Sequence, residues 1–196
     1  MTPTHEMNFP SFDPSWPWAG SSVFLTNETH LILIKRSLQM PTHAGQMAFF
    51  GGHKKSDETH PFEVARREFT EESGLHAKNI ECLGVLPPVF TARAQAIVPV
   101  VATLSMSLEG FLQSAISNGE WDDLLAVPWS ELNNPDNWSW GLFNGRTTHN
   151  VLMTPIRARH YLHHKNQTDK THILWGATAR MIWNYLALYY QTPGRF

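Results

Sequence analysis

The chain has a single cysteine, Cys82, among its 196 residues. One thiol excludes a disulfide framework, and a reducing compartment is the simplest setting for it. Cys82 itself reads as a small buried side chain rather than a nucleophile. Charge is also sparse: 16% of residues are Asp, Glu, Lys or Arg, and the net charge is −2. There is no basic excess of the kind that holds a nucleic-acid backbone. Long apolar runs are missing too. The stretch from Ile97 to Leu104 is too short to cross a bilayer. The first twenty residues have neither the basic start nor the apolar middle of a signal peptide, and Gly194-Arg195-Phe196 is not a peroxisomal address. These absences predict a soluble, cytoplasmic protein with no nucleic-acid and no membrane partner.

What remains is the composition of a globular domain. Hydrophobic residues make up 42% of a chain long enough to bury a substantial core. Residues 1–20, rich in Pro, Ser and Trp, read as an irregular arm, and residues 21–196 as one domain. Trp16 and Trp18 either pin the arm to the body or line a partner surface. Strands are expected over Ser22–Leu25, His30–Ile34, Gln46–Phe50, Ile80–Leu86, Ala96–Leu104 and Glu120–Val127. Further strands are expected over Val151–Pro155, Ala158–His163 and His172–Trp175, the last two separated by a polar loop from Lys165 to Lys170. Leu108–Ser117 is open between loop and short helix, Ser130–Leu132 opens a helical turn, and residues 133–150 are mostly turn formers. Ala177–Tyr190 has the periodicity of an amphipathic helix. Strands and helices thus alternate irregularly, which predicts an α/β fold with a mixed sheet rather than a purely parallel one.

The chemistry concentrates between Gly51 and Leu75. Gly51-Gly52 leads through a polar loop to a helix opening at Pro61, a residue favoured at the first helical position, and closing at Gly74, a left-handed cap. Phe62, Val64, Ala65 and Phe69 supply the apolar stripe, and the carboxylates are expected away from it. Glu68, Glu71 and Glu72 stand at i, i+3 and i+4, so they share a face. Two such charges about 4 Å apart repel by roughly 4 kcal/mol at an effective dielectric near 20. A hard divalent cation, which prefers oxygen ligands, is the natural counterweight.

The run Arg67-Glu68-Phe69-Thr70-Glu71-Glu72-Ser73-Gly74-Leu75 resembles the second half of the Nudix box, R-E-U-x-E-E-x-G-U with U apolar. Gly52 and Glu58 meet the first half, although eight residues rather than seven separate Glu58 from Arg67. The segments Ile32-Leu33-Ile34-Lys35-Arg36-Ser37, His43-Ala44-Gly45-Gln46 and Phe49-Phe50-Gly51-Gly52 are similar to the extra motif of the coenzyme A pyrophosphatase branch, which tolerates the additional residue. Ile34, Pro41 and Phe50 depart from that motif, standing where it has threonine, arginine and proline, and Glu58 replaces its usual aspartate.

The resemblance implies a Nudix-type α/β/α sandwich and a metal-dependent pyrophosphatase. Glu68, Glu71 and Glu72 would bind Mg²⁺ or Mn²⁺, with the Gly51 carbonyl completing the set. Glu71 or Glu72 would handle the attacking water, Arg67 would orient a glutamate, and Glu58 would support the site. Glu120 is the candidate acid from outside the box, with Asp122 and Asp123 as rivals. Arg36, Ser37, His43 and Arg93 are candidates for substrate contact. The implied substrate is coenzyme A or an acyl derivative. ADP-ribose or another nucleoside diphosphate linked to a second moiety is the alternative, and a non-catalytic nucleotide-binding module the third reading. A homodimer is one assembly the resemblance allows. His163-His164 lacks the spacing of a zinc site. Trp129, Trp138 and Trp140 read as packing residues more than as a base-stacking platform.

Overall fold

The computed structural model describes residues 9–142, 151–160 and 170–189. Alternation organises its centre. β1 (Gly20–Thr26) pairs antiparallel with β2 (His30–Arg36) and parallel with β7 (Ala96–Leu104). Successive side chains on a strand point to opposite faces. Val23 and Leu25 of β1, with Ile32 and Ile34 of β2, therefore enter one core, while Phe24, Leu31 and Leu33 enter the other. Both cores are apolar, so these strands read as continuous hydrophobic runs, as strands covered on both faces do.

The remaining strands extend this centre on both sides. β3 (Met47–Ala48) pairs with β2, and β4 (Phe50–His53) with β1. β5 (Ile80–Val85) and β6 (Val89–Phe90) both pair with β7. β8 (Trp121–Pro128) pairs with β2, β9 (Ser139–Gly141) with β10 (Val151–His160), and β10 with both β8 and β11 (Lys170–Trp175). The sheet order is β11-β10-β8-β2-β1-β7-β5. One face is covered by α1 (Pro61–Ser73) and α2 (Leu108–Ser114), the other by α3 (Trp129–Leu132) and α4 (Gly176–Tyr189). The result is the α/β/α sandwich with a mixed sheet that the sequence predicts. No described helix is long and apolar enough to cross a membrane.

Several boundaries differ from expectation. The strand expected over Gln46–Phe50 is two strands, because Met47–Ala48 follows β2 whereas Phe50–His53 crosses to β1. Gly51-Gly52 is therefore ladder, not turn. The two strands expected over Val151–Pro155 and Ala158–His163 form one run through Pro155, paired residue by residue with β11. Leu108–Ser114 is helical, capped by the Ser107 hydroxyl accepting from Gly110 N–H. Gly20 belongs to β1 rather than to the arm. Within the arm, Trp16 and Trp18 each meet Phe12 edge-on and pack against the α1-side core. His163, His164, most of the 165–170 loop and Tyr190 lie outside the described residues.

Candidate active site

The helix carrying the carboxylates is fixed at both ends. The His60 ring accepts from Phe62 N–H, the Glu63 carboxylate accepts from His60 N–H, and Pro61 opens the first turn. Gly74, at φ 70°, donates its N–H to Thr70 O and ends the helix. Val64, Ala65 and Phe69 face the sheet as expected, but the carboxylates do not all lie away from them. Glu68 and Glu72 are buried on that same side, 9% and 1% exposed, and only Glu71 is turned outward. The expectation of a chemical face opposite the apolar one is thus corrected. The physical reason is that β4 presents a backbone groove beneath α1 into which two carboxylates fit.

Gly51 and Gly52 form that groove. A Cβ on Gly51, at φ 152°, would stand 2.5 Å from Ser21 O and 2.7 Å from Ser22 Cα. A Cβ on Gly52 would overlap Glu68 Oε1. Gly52 lets the Glu68 carboxylate approach the strand more closely than any other residue would allow, and Gly51 lets β4 lie close against β1. Gly52→Ala is expected to expel the Glu68 carboxylate and to lower stability by about 1–3 kcal/mol, the usual cost of overpacking. The urea midpoint, at unchanged m-value, measures it.

Arg67 is the hub of the site. Its Nε donates to Glu58 Oε1 at 2.7 Å and its Nη2 to Glu58 Oε2 at 3.1 Å, a bidentate fork. Nη1 is shared between Glu68 Oε1 (2.6 Å) and Glu71 Oε2 (3.0 Å), and Nη2 also reaches the His53 carbonyl at 3.0 Å. The Arg67 hydrogen bond holds the Glu58 carboxyl below its ordinary range, despite partial burial. At Glu71, desolvation pushes upward, but hydrogen bonds from Lys55 and Arg67 outweigh it and the net direction is down.

Glu72 differs from the others. Its Oε2 accepts from Gly51 N–H at 3.2 Å, and Trp121 Nε1 fixes the backbone by donating to Glu72 O at 2.7 Å. Desolvation, then the carboxylates of Glu120 and Glu68, raise its pKa to about 8, with Gly51 N–H and Arg36 opposing only in part. Burial also raises Glu68. The structure thus brings Glu120 and Arg36 within electrostatic reach of Glu68 and Glu72 or of Glu72 alone. Asn118 holds Glu120, donating Nδ2–H to Glu120 Oε1 and accepting Glu120 N–H. Asp122 is turned elsewhere, accepting from Leu38 N–H, and Asp123 is buried in β8.

The donor set fits a hard cation. It consists of carboxylates, two of them buried, and burial together with the neighbouring carboxylates disfavours the charged form of Glu72. In this arrangement Arg67 and Lys55 occupy Glu68 and Glu71, and among the described residues no three His, Cys, Asp or Glu side chains are drawn together around one point. A cation held by Glu68, Glu71 and Glu72 therefore requires side-chain movement, cheapest at exposed Glu71.

The other sequence candidates are more dispersed. Ser37 is buried, its hydroxyl accepting from Gln39 N–H and its N–H donating to Glu120 O. This makes it a brace for the Glu120 loop. His43 sits exposed at φ 58° beside Gln46. Arg93 is exposed on the β6–β7 turn, whose Gln95 contacts His53 at the end of β4. Trp129 and Trp138 are core residues, donating to Asn27 O and Leu132 O, so neither offers a face to a base, whereas Trp140 is exposed. Sequence reasoning did not single out Lys55 or Asn118. The available signals were the place of Lys55 inside the box loop and of Asn118 two residues before Glu120.

The fold and this box define a class. The family model of the NUDIX domain matches residues 17–144, well over half of the chain, and the chain belongs to that family. It is similar to the protein named "Uncharacterized Nudix hydrolase NudL" of Escherichia fergusonii, 37% identical over 78 residues, 40% of this chain and 41% of that protein. The protein of the same name from Pectobacterium atrosepticum is 37% identical over 75 residues, 38% of this chain and 39% of that one. The chain thus spans about 40% of the length of these curated relatives. Among solved structures, a MutT/nudix family protein from Enterococcus faecalis is similar over 92% of this chain and 64% of that one, at 16% identity and a TM-score of 0.48.

Proposed function

We propose that the chain is a metal-dependent Nudix pyrophosphatase that hydrolyses the diphosphate bond of coenzyme A or acyl-coenzyme A to 3′,5′-ADP and (acyl-)phosphopantetheine. The observation that carries the chemistry is Glu72: a buried carboxylate beside Glu68 and Glu120, with too little positive charge around it. Nudix hydrolases generally use divalent metal ions, and Mg²⁺ or Mn²⁺ held by Glu68, Glu71 and Glu72 supplies charge neutralisation at the diphosphate and activation of water. Arg67, anchored by Glu58, holds Glu68 and Glu71 directly. Gly51 N–H orients Glu72, a candidate for handling the attacking water. Glu120 is the second candidate base, and Arg36 the candidate phosphate contact.

Support for the coenzyme A branch comes from the upstream motif on β2, β3 and β4. Phe50, one of its departures, is 1% exposed and meets Phe69, Phe111 and Trp121 edge-on, so it acts on packing rather than on a ligand. Pro41, another departure, is exposed in the loop between β2 and β3, where the branch carries a cation. That missing cation favours the second reading: ADP-ribose or another nucleoside diphosphate linked to a second moiety.

Incubation with Mg²⁺ or Mn²⁺ and a panel of coenzyme A, ADP-ribose, NADH, diadenosine polyphosphates and nucleotide sugars discriminates the readings. The expected result is release of 3′,5′-ADP from coenzyme A. Turnover of ADP-ribose with none of coenzyme A would select the second reading. Binding without turnover of any compound would make the chain a nucleotide-binding module.

A further inference from the structure

Lys54 and Lys55 are neighbours in the chain but serve different partners. Lys54 Nζ lies 4.5 Å from the centre of the Trp18 ring, and its N–H donates to Ala19 O, so it belongs to the arm. Lys55 Nζ reaches Glu71 Oε1 at 3.2 Å, while its N–H donates to Glu58 Oε2 at 2.6 Å. The backbone at Lys55 is therefore tied to the site, and its ammonium rides on a flexible stem at the surface. The two side chains of that ion pair are 57% and 47% exposed.

Glu71 has two cationic partners, and they are not equally replaceable. Arg67 is 19% exposed and committed to Glu58, Glu68 and the His53 carbonyl as well. Its departure would strand two partly buried acids. Lys55 gives up one exposed bond, the kind that contributes little in water. Entry of a cation at Glu71 thus displaces Lys55 and leaves Arg67 in place. The released ammonium stays tethered beside the carboxylates, where the charged groups of a diphosphate must lie to be neutralised. A compact ammonium is well suited to a phosphate oxygen.

We propose that Lys55 is the exchangeable counter-ion of this site, leaving Glu71 as a divalent cation binds and then holding a non-bridging oxygen of the substrate diphosphate. The proposal rests on the reading of Glu68, Glu71 and Glu72 as the metal cluster. Mn²⁺ titration followed by the electron paramagnetic resonance of the free ion tests the first half. Lys55→Met is expected to bind Mn²⁺ about five-fold more tightly than wild type, the scale of a lost surface charge beside a divalent ion. Lys54→Met is expected to match wild type. Calorimetry with methylenediphosphonate on the Mn²⁺-loaded protein tests the second half: affinity falls roughly five-fold in Lys55→Met and recovers in Lys55→Arg. Unchanged Mn²⁺ affinity in Lys55→Met, an equal gain in Lys54→Met, or unchanged diphosphonate affinity would overturn the proposal while leaving the metal cluster standing. A wild-type protein that binds no Mn²⁺ would overturn the cluster itself.

Discussion

Glu72→Gln is expected to reduce turnover by at least roughly 10²-fold, the scale of a lost acid–base or electrostatic group, and at the same time to stabilise the metal-free protein at pH 8. The two effects share a cause. In the fold the Glu72 carboxyl titrates at about 8, against an ordinary value of 4.5. Between those two pH values the folded chain holds a proton that the unfolded chain has released. The Glu72 contribution to stability is then fully present below about pH 4.5, falls as pH rises, and is gone above about pH 8. The loss is on the order of a few kcal/mol and at most about 5. Glutamine mimics the neutral acid, so the variant keeps the stability that wild type loses. Saturating Mn²⁺ is expected to flatten the wild-type profile as well, because bound positive charge removes the repulsion. Urea unfolding from pH 5 to 8, in EDTA for the metal-free proteins and in Mn²⁺ without chelator for the loaded one, measures both, and the low-pH shifts of Glu58 and Glu71 fall outside that window. Parallel profiles for wild type and variant would show that Glu72 is not the titrating group. Unchanged turnover would remove it from the metal face.

Arg67→Ala is expected to cost about 2–4 kcal/mol at pH 7, since it leaves Glu58 and buried Glu68 without their cation, and to lower turnover by roughly 10²-fold or more. Four acceptor groups lose a partner: three carboxylates and the His53 carbonyl. Lysine cannot replace the fork, so Arg67→Lys is expected to recover little of either quantity. The pH dependence separates this network from Glu72. Glu58 titrates below its ordinary value, so its contribution is present above that value and is lost as pH falls through the lower one. Wild type should therefore approach Arg67→Ala as pH falls below the ordinary carboxyl value of 4.5. A variant with the wild-type urea midpoint at pH 7 would mean that the network contributes nothing to the fold.

The parts of the fold legible in the sequence were those governed by local rules. The continuous apolar runs at β1, β2 and β7, the Pro61 start and the Gly74 stop are each set within a few residues. The box residues were legible for the same reason, because their spacing along one helix is fixed. What was not legible depended on partners distant in the chain. Gln46–Phe50 divides because β3 and β4 answer to different neighbours, β2 and β1. The burial of Glu68 and Glu72 depends on the glycines of β4, which lie against α1 only after the strand has crossed to β1. Ser37 had the polarity of a phosphate contact, but its role was decided by Gln39 and by Glu120, more than eighty residues away. Trp138, in a segment of turn formers, was drawn into the core by α3 and α4. The proximity of Glu120 to Glu72 follows from β8 lying beside β2.

Because Glu68 and Glu72 share the buried side of α1 with Ala65 and Phe69, the placement of these carboxylates and the packing of the sandwich cannot be optimised independently. A substitution that tightens the contact between α1 and β1 shifts the same helix that aims the carboxylates. Laboratory selection for heat resistance should consequently find its gains elsewhere, on the α4 layer or the outer strands. Selection for a new substrate has the complementary freedom: the loops after β2 and β6 can change length and charge without touching that shared face.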